Sequence, residues 1–268
     1  MNGEKDQICN YASTSTFLKG IGNAEMIKLE NVGHGFSKEE NWVPQFHLAF
    51  QKILTAGATE KTSTLIKSNL PLHFFETKTH SNSLVFMLSG DGGWTSFDEG
   101  IANSLVNRGT RVIGLDSQKY FWKAKTPNQV ASDINQVLSE CLKTNPNLII
   151  SMLGYSFGAD VTPFIVNRLP EDIKKSLKSV VLISPDEFGD FEIHVSDMLN
   201  FGSKTRPYHV IEELRKLNGI KKLCVFGSDE DHSITSKFRE TNSKIEILPG
   251  GHHFNNDFQS ISDRIIKM

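Results

Sequence analysis

From residue 84 onward, short apolar runs alternate with longer stretches whose apolar positions recur at helical spacing. Leu84-Val85-Phe86-Met87-Leu88 has the unbroken apolar character of a strand buried on both faces, and it ends in the turn Ser89-Gly90-Asp91-Gly92-Gly93. Residues 97–108 read as a helix stopped by Gly109, Arg111-Val112-Ile113-Gly114-Leu115 as the next strand, and Thr126-Pro127 as the opening of a helix that runs to about Lys143. Further strands are predicted at 147–153, 179–184, 221–226 and 243–248, with helices near 157–169, 207–217, 232–240 and 254–267. This alternation predicts a mostly parallel, doubly wound α/β sheet, whose chemistry belongs at the carboxyl ends of its strands.

The candidate chemistry falls at those ends. Gly154-Tyr155-Ser156-Phe157-Gly158 follows one predicted strand and opens a helix, the setting of a nucleophile elbow. An ordinary capping serine in a glycine-rich turn is the plainer alternative. A nucleophilic serine needs a base, and the base needs an orienting acid, in the chain order serine, acid, histidine. Pro249-Gly250-Gly251-His252-His253-Phe254 follows the last strand, where the base belongs; His252 is the expected base, and His253 is left to line the site or cap the next helix. The loop after Lys222–Phe226 offers Asp229, Glu230 and Asp231 as the acid. Spacing alone does not choose among them; Asp231 and Glu230 rank nearly equal, with Asp229 behind them and Asp186 as an outside candidate. The oxyanion donors are expected to be the backbone N–H groups of Phe157 and Asp91.

The first eighty residues add a second pattern. Residues 24–52 read as a strand, then Gly33-His34-Gly35-Phe36, then a helix; residues 243–267 read as a strand, then Gly251-His252-His253-Phe254, then a helix. Gly3-Glu4-Lys5-Asp6 precedes the first histidine as Gly227-Ser228-Asp229-Glu230-Asp231 precedes the second. Residues 1–56 are therefore expected to be the tail of a duplicated domain whose earlier part is missing from this chain, with 57–83 a linker or edge segment and 84–268 the catalytic domain. An extra helix with a chance Gly-His-x-Phe match is the alternative. Asp6 and His34 form an acid–base pair with no Gly-x-Ser-x-Gly before them, and a structural role is expected for both.

Composition narrows the class. The 268 residues, 38% hydrophobic and 22% charged, suit one large domain with an appendage. A net charge of −2 without a basic block argues against nucleic acid, and a membrane surface would have to be recognised locally. Cys9, Cys141 and Cys224 have no metal-ligand spacing, and an odd count excludes a fully paired disulfide framework. The amino terminus lacks the apolar core of a signal peptide, and no apolar run is long enough for a membrane span. Neither a metal nor an organic cofactor is expected, since serine–histidine–acid chemistry needs none.

Several stretches resemble the VirJ/AcvB family of bacterial virulence proteins: Leu88–Trp94, Gly114–Ser117 with Tyr120-Phe121-Trp122, Gly154–Val161, Asn167–Pro170, Phe191–Ile193 and Pro249–Phe254. The resemblance implies an α/β-hydrolase fold, a periplasmic location, links to type IV secretion components, and hydrolysis of lysyl-phosphatidylglycerol. The longer members carry a preceding hydrolase-like segment that ends in a stretch like residues 33–36. An aminoacyl ester carries ammonium groups, so carboxylates are expected near the site: Asp91 and Asp116 as substrate contacts, with Asp160 close by. Gly92 and Trp94 are expected to line the substrate, and Tyr120-Phe121-Trp122 either contacts lipid or packs inside. A general esterase or thioesterase, and a catalytically idle partner of secretion proteins, are the competing functions.

Overall fold

The sheet predicted from the apolar runs is present, joined by a strand within the segment expected to be a linker or edge structure. The structure is a computed structural model that describes residues 1–21, 24–56, 68–78, 80–193 and 206–268. Two compact units divide it, Met1–Glu60 and Lys61–Met268. In the first, β1 (Asn2–Gly3) leads into α1 (Tyr11–Leu18), whose first turn is capped by the Asn10 side chain. β1 pairs in parallel with β2 (Lys28–Leu29), and α2 (Val43–Ala56) follows. Trp42 is buried, and its indole N–H donates to the Phe36 carbonyl at 3.0 Å.

The second unit carries β3 (Leu72–Phe75), β4 (Ser83–Leu88), α3 (Ser96–Val106), β5 (Arg111–Leu115), α4 (Ser117–Tyr120), α5 (Pro127–Thr144) and β6 (Ile149–Tyr155). It continues through α6 (Phe157–Arg168), α7 (Glu171–Lys174), β7 (Leu177–Ile183), β8 (Phe188–Gly189), β9 (Tyr208–His209) and α8 (Val210–Arg215). It ends with β10 (Lys221–Gly227), α9 (Thr235–Arg239), β11 (Lys244–Leu248) and α10 (Phe258–Ile266). Seven strands form one sheet in the order β11-β10-β7-β6-β4-β5-β3. All neighbours are parallel except β3, which runs antiparallel to β5. Within the segment 57–83, given as a linker or an edge segment, residues 72–75 form an edge strand, so the sheet begins upstream of 84; residues 57–67 lie outside the described part.

Period-two alternation explains why the central strands are apolar throughout. Leu84, Phe86 and Leu88 of β4 face a core with Val130, Ile134 and Leu138 of α5 and Val161 and Ile165 of α6. Val85 and Met87 face the other way, toward Phe97, Ile101 and Leu105 of α3 and Ile261 and Ile265 of α10. α3 starts at a capping box of Thr95 and Asp98, and α5 at one of Thr126 and Gln129 with a proline in its first turn. Both faces of the sheet are covered, so the exposed chemistry is left to the strand ends.

Candidate functional site

Ser156 stands between β6 and α6 with φ = 52° and ψ = −120°, a backbone region that side-chain-bearing residues rarely enter. The strain is held from both sides. The Ser156 N–H donates to the Ile183 carbonyl of β7 at 2.9 Å, and its own carbonyl accepts the Ala159 N–H at 2.7 Å as the helix begins. Helix and sheet approach so closely here that a Cβ on Gly158 would lie 2.3 Å from the Leu88 carbonyl oxygen. The two glycines flanking the serine therefore serve as spacers, which is why the elbow can put a half-buried hydroxyl at the sheet's carboxyl edge.

The histidine loop is fastened to β10 and to the elbow. Gly227 closes β10, and a Cβ on it would lie 2.5 Å from the carbonyl oxygens of Gly250 and Gly251. Phe254, fully buried, plugs the loop into the core. The Tyr155 hydroxyl donates to the His252 carbonyl at 3.2 Å, and their rings lie 5.3 Å apart. Burial first, then the nearby charges of Asp98, Glu230 and Asp91, push the Tyr155 hydroxyl well up, so it stays a donor.

Among the three loop acids, geometry selects Glu230. Its Oε1 lies 2.7 Å from His252 Nδ1, and its Oε2 accepts from the Ser184 hydroxyl at 2.8 Å and the Gly227 N–H at 2.6 Å. Burial would raise this carboxyl, but the hydrogen bonds from His252, Gly227 and Ser184 outweigh it and hold the group below its usual range. Asp231, ranked level with Glu230 on spacing, instead caps an exposed turn through the Ser233 N–H at 2.8 Å and hydroxyl at 2.9 Å. Asp229 accepts from the Ser228 hydroxyl, and Asp186 pairs with Arg206 at 2.9 Å; neither is placed at His252. Ser184 was missed by the sequence reading. It sits just past β7 with φ = 49°, and only the pairing of β7 with β10 brings it to Glu230.

The turn after β4 lies against Ser156, with a Cβ on Gly90 falling 3.6 Å from Ser156 Cβ. The N–H groups of Asp91 and Phe157 donate to no acceptor among the described residues, as oxyanion donors must be free to do. Asp91 is exposed and makes no ion pair among those residues, and Gly92 is exposed beside it. Two expected substrate contacts are placed differently. Asp116 is buried beneath the turn, where it caps α4 through the Lys119 N–H at 3.0 Å and pairs with the Lys119 ammonium at 3.2 Å. Trp94 lies flat on His73, ring centroids 4.9 Å apart, and covers Gly114, so it packs rather than lines the site. Asp160 is buried in α6, where it accepts the Asp186 N–H at 2.7 Å; burial drives its carboxyl well up, toward the neutral form. Phe121 is fully buried against Phe157 at 5.0 Å, and Tyr120 is buried with its hydroxyl on Asp133, so both pack inside. His253 meets the edge of the Phe97 ring.

A groove of about 860 Å³ lies at the opposite, amino ends of β10 and β11, lined by Lys222, Thr241 and Ser243 among others. Lys222 already spends its donors on the Leu214, Leu217 and Thr241 carbonyls, and the groove lies at the opposite end of the sheet from Ser156. No helix of the described residues is long and apolar enough to cross a membrane.

A parallel sheet with helices on both faces, a strained serine between strand and helix, and an acid–histidine pair on later loops define an α/β-hydrolase fold. Solved structures agree on the fold. MenH from S. aureus aligns over 73% of this chain and 96% of its own, at a TM-score of 0.53 and 12% identity. A putative dienelactone hydrolase from Klebsiella pneumoniae aligns over 75% and 92%, at 0.52 and 16%. A soluble variant of monoglyceride lipase from Saccharomyces cerevisiae aligns over 73% and 91%, at 0.52 and 12%. The family model of bacterial virulence protein VirJ matches residues 82–268, and the chain belongs to that family. Comparison with curated protein sequences finds no match.

Proposed function

We propose that this protein is a serine hydrolase of carboxylic esters, with Ser156 as nucleophile, His252 as base and Glu230 as the orienting acid. The observation that carries the reading is the strained Ser156 elbow, tied through Tyr155 to a histidine whose Nδ1 faces a carboxylate at 2.7 Å. In this reading, Ser156 Oγ attacks the ester carbonyl while His252 Nε2 takes its proton, and Glu230 steadies the imidazolium through Nδ1–H. The N–H groups of Asp91 and Phe157 receive the oxyanion. Collapse of the tetrahedral intermediate expels the alcohol, which takes the proton from His252, and water then hydrolyses the acyl-serine by the same route.

The proposed substrate is the aminoacyl ester of lysyl-phosphatidylglycerol. An unpaired carboxylate beside an oxyanion hole opposes the developing negative charge, and a substrate ammonium next to the carbonyl would offset that cost. Asp91 is such a carboxylate. A periplasmic site of action and contact with secretion components belong to the same proposal; cell fractionation tests the first and co-purification the second. Lipase and thioesterase activities among the structural neighbours favour a general esterase or thioesterase as the second reading.

The test has two arms. A fluorophosphonate probe is expected to label wild type and not Ser156→Ala; an unlabelled, folded wild type sinks the enzyme reading. Free lysine release from lysyl-phosphatidylglycerol then separates the substrates. Asp91→Asn is expected to lower kcat/KM for the lysyl ester about tenfold and to spare a neutral ester, and equal losses on both would remove Asp91 from substrate recognition.

A further inference from the structure

The amino-terminal unit repeats much of the backbone framework that holds Glu230 and His252. β1 and β2 pair in parallel as β10 and β11 do, with Gly3 opposite Leu29 and Gly227 opposite Leu248. The Glu4 N–H donates to Leu29 at 2.8 Å and the Lys5 N–H to Val32 at 2.9 Å. Their counterparts are Ser228 to Leu248 at 2.7 Å and Asp229 to Gly250 at 3.0 Å. Phe36 and Phe254 both follow the histidine loop with positive φ, 48° and 49°. Asp6 stands three residues after Gly3 as Glu230 does after Gly227, and Asp6 Oδ2 lies 3.1 Å from His34 Nδ1.

The copies differ in how the second carboxylate oxygen is used. Glu230 Oε2 is taken by Ser184 and Gly227. Asp6 Oδ1 instead accepts the N–H groups of Ile8 at 2.9 Å and Cys9 at 2.7 Å, which wraps the chain around the carboxylate. The Asn2 amide fixes the same turn by donating to the Cys9 carbonyl at 2.7 Å. As a result a carboxylate oxygen, a thiol sulfur and an imidazole nitrogen lie within 4.8 Å of one another.

We propose that Asp6, Cys9 and His34 bind a divalent cation of the zinc type, leaving one coordination position open. A mixed O, N and S set suits zinc and disfavours magnesium or calcium, which want oxygen alone. Two ligands about 2.0 to 2.1 Å from a tetrahedral ion stand about 3.3 Å apart, close to the spacing of Asp6 Oδ2 and His34 Nδ1. Asp6 is buried, and its other oxygen is already oriented by two N–H donors, the outer-shell support that a ligating carboxylate needs. Cys9 and His34 are exposed, which gives the ion a way in. The site does not depend on the hydrolase reading, since none of the three residues takes part in it.

Cobalt(II) is the probe, added to the metal-free chain of 268 residues. Cys141 and Cys224 are buried, so a thiolate-to-cobalt charge-transfer band reports Cys9. One equivalent is expected to bind with that band, and zinc is expected to displace it. Cys9→Ser should abolish the band, and Asp6→Asn and His34→Gln should each weaken binding about tenfold or more. Fluorophosphonate labelling and thermal unfolding of each variant show whether the chain is intact. The absence of the band in wild type, its survival in Cys9→Ser, or an affinity unchanged in folded His34→Gln overturns the proposal.

Discussion

Replacing Glu230 by Gln tests the proposed relay most directly, because the side chain keeps its size and loses one acceptor with its charge. The Gly227 N–H, 2.6 Å from Oε2, can only donate, so the glutamine carbonyl oxygen must occupy that position. Its NH2 group is then left facing His252 Nδ1, which at 2.7 Å must become an acceptor. The imidazole proton moves to Nε2, the atom that should take the Ser156 proton. Amide-for-acid exchange in a serine-protease triad lowers kcat about 10⁴-fold through this wrong tautomer. Glu230 is 17% exposed, so water relieves part of the mismatch, and a loss of about 10³-fold is expected here, about 4 kcal/mol of barrier. The readouts are the rate of fluorophosphonate labelling and kcat on an ester, with thermal unfolding as the control. A folded variant within tenfold of wild type would show that Glu230 is not the acid. The pH dependence has a definite sign. Glu230 is held below its ordinary value of 4.5, so its stabilising effect is present above that value and lost as pH falls through the lower folded one. The glutamine variant should accordingly show a flatter loss of stability on the acid side.

Three further outcomes follow from other contacts. Ser184→Ala removes one hydrogen bond to a charged group, worth about 1.5 to 3 kcal/mol before solvent returns a part, so labelling should slow about tenfold and the acid limb of the rate profile should move upward; an unmoved profile would leave Ser184 as a turn residue only. Asp160 is kept protonated by burial in the folded state, so the folded chain holds a proton that the unfolded chain releases above about 3.8, and stability falls as pH rises beyond that value. Asp160→Asn preserves the acceptor for the Asp186 N–H and should raise Tm near neutrality, whereas a lowered Tm would mean that the ionised form is needed. Gly158→Ala drives a methyl to 2.3 Å from the Leu88 carbonyl oxygen and should cost about 3 kcal/mol in urea unfolding; a cost under about 1 kcal/mol would show that the elbow helix can move away from β4.

The parts of the site that local pattern could reveal are those that local sequence builds. The elbow serine lies directly after an apolar strand and the histidine loop directly after a short strand of alternating apolar and charged residues, so strand prediction placed them. β3 was legible only as a linker or edge segment, because four residues after a polar stretch carry little periodicity; its bounds come from the edge of β5 that it covers. Trp94 and Asp116 look like site residues in the sequence because they flank the correct turn, yet packing on His73 and capping of α4 claim them. Ser184 has no local signal at all, since its partner lies 46 residues away. The acid is the instructive case. Asp231 lies two residues before Ser233, a spacing that favours a local side-chain turn and draws a carboxylate away from distant partners. The likeness between the two histidine loops held the complementary clue. Asp6 follows Gly3 by three positions, and the same step from Gly227 lands on Glu230. The geometry explains why the step is fixed: in each copy the acid's N–H turns back at 3.2 Å onto the carbonyl of that glycine, which folds the side chain toward the histidine loop. An acid one residue later would leave that turn, so the duplicated spacing, and not the count of nearby carboxylates, identifies the group that faces the imidazole.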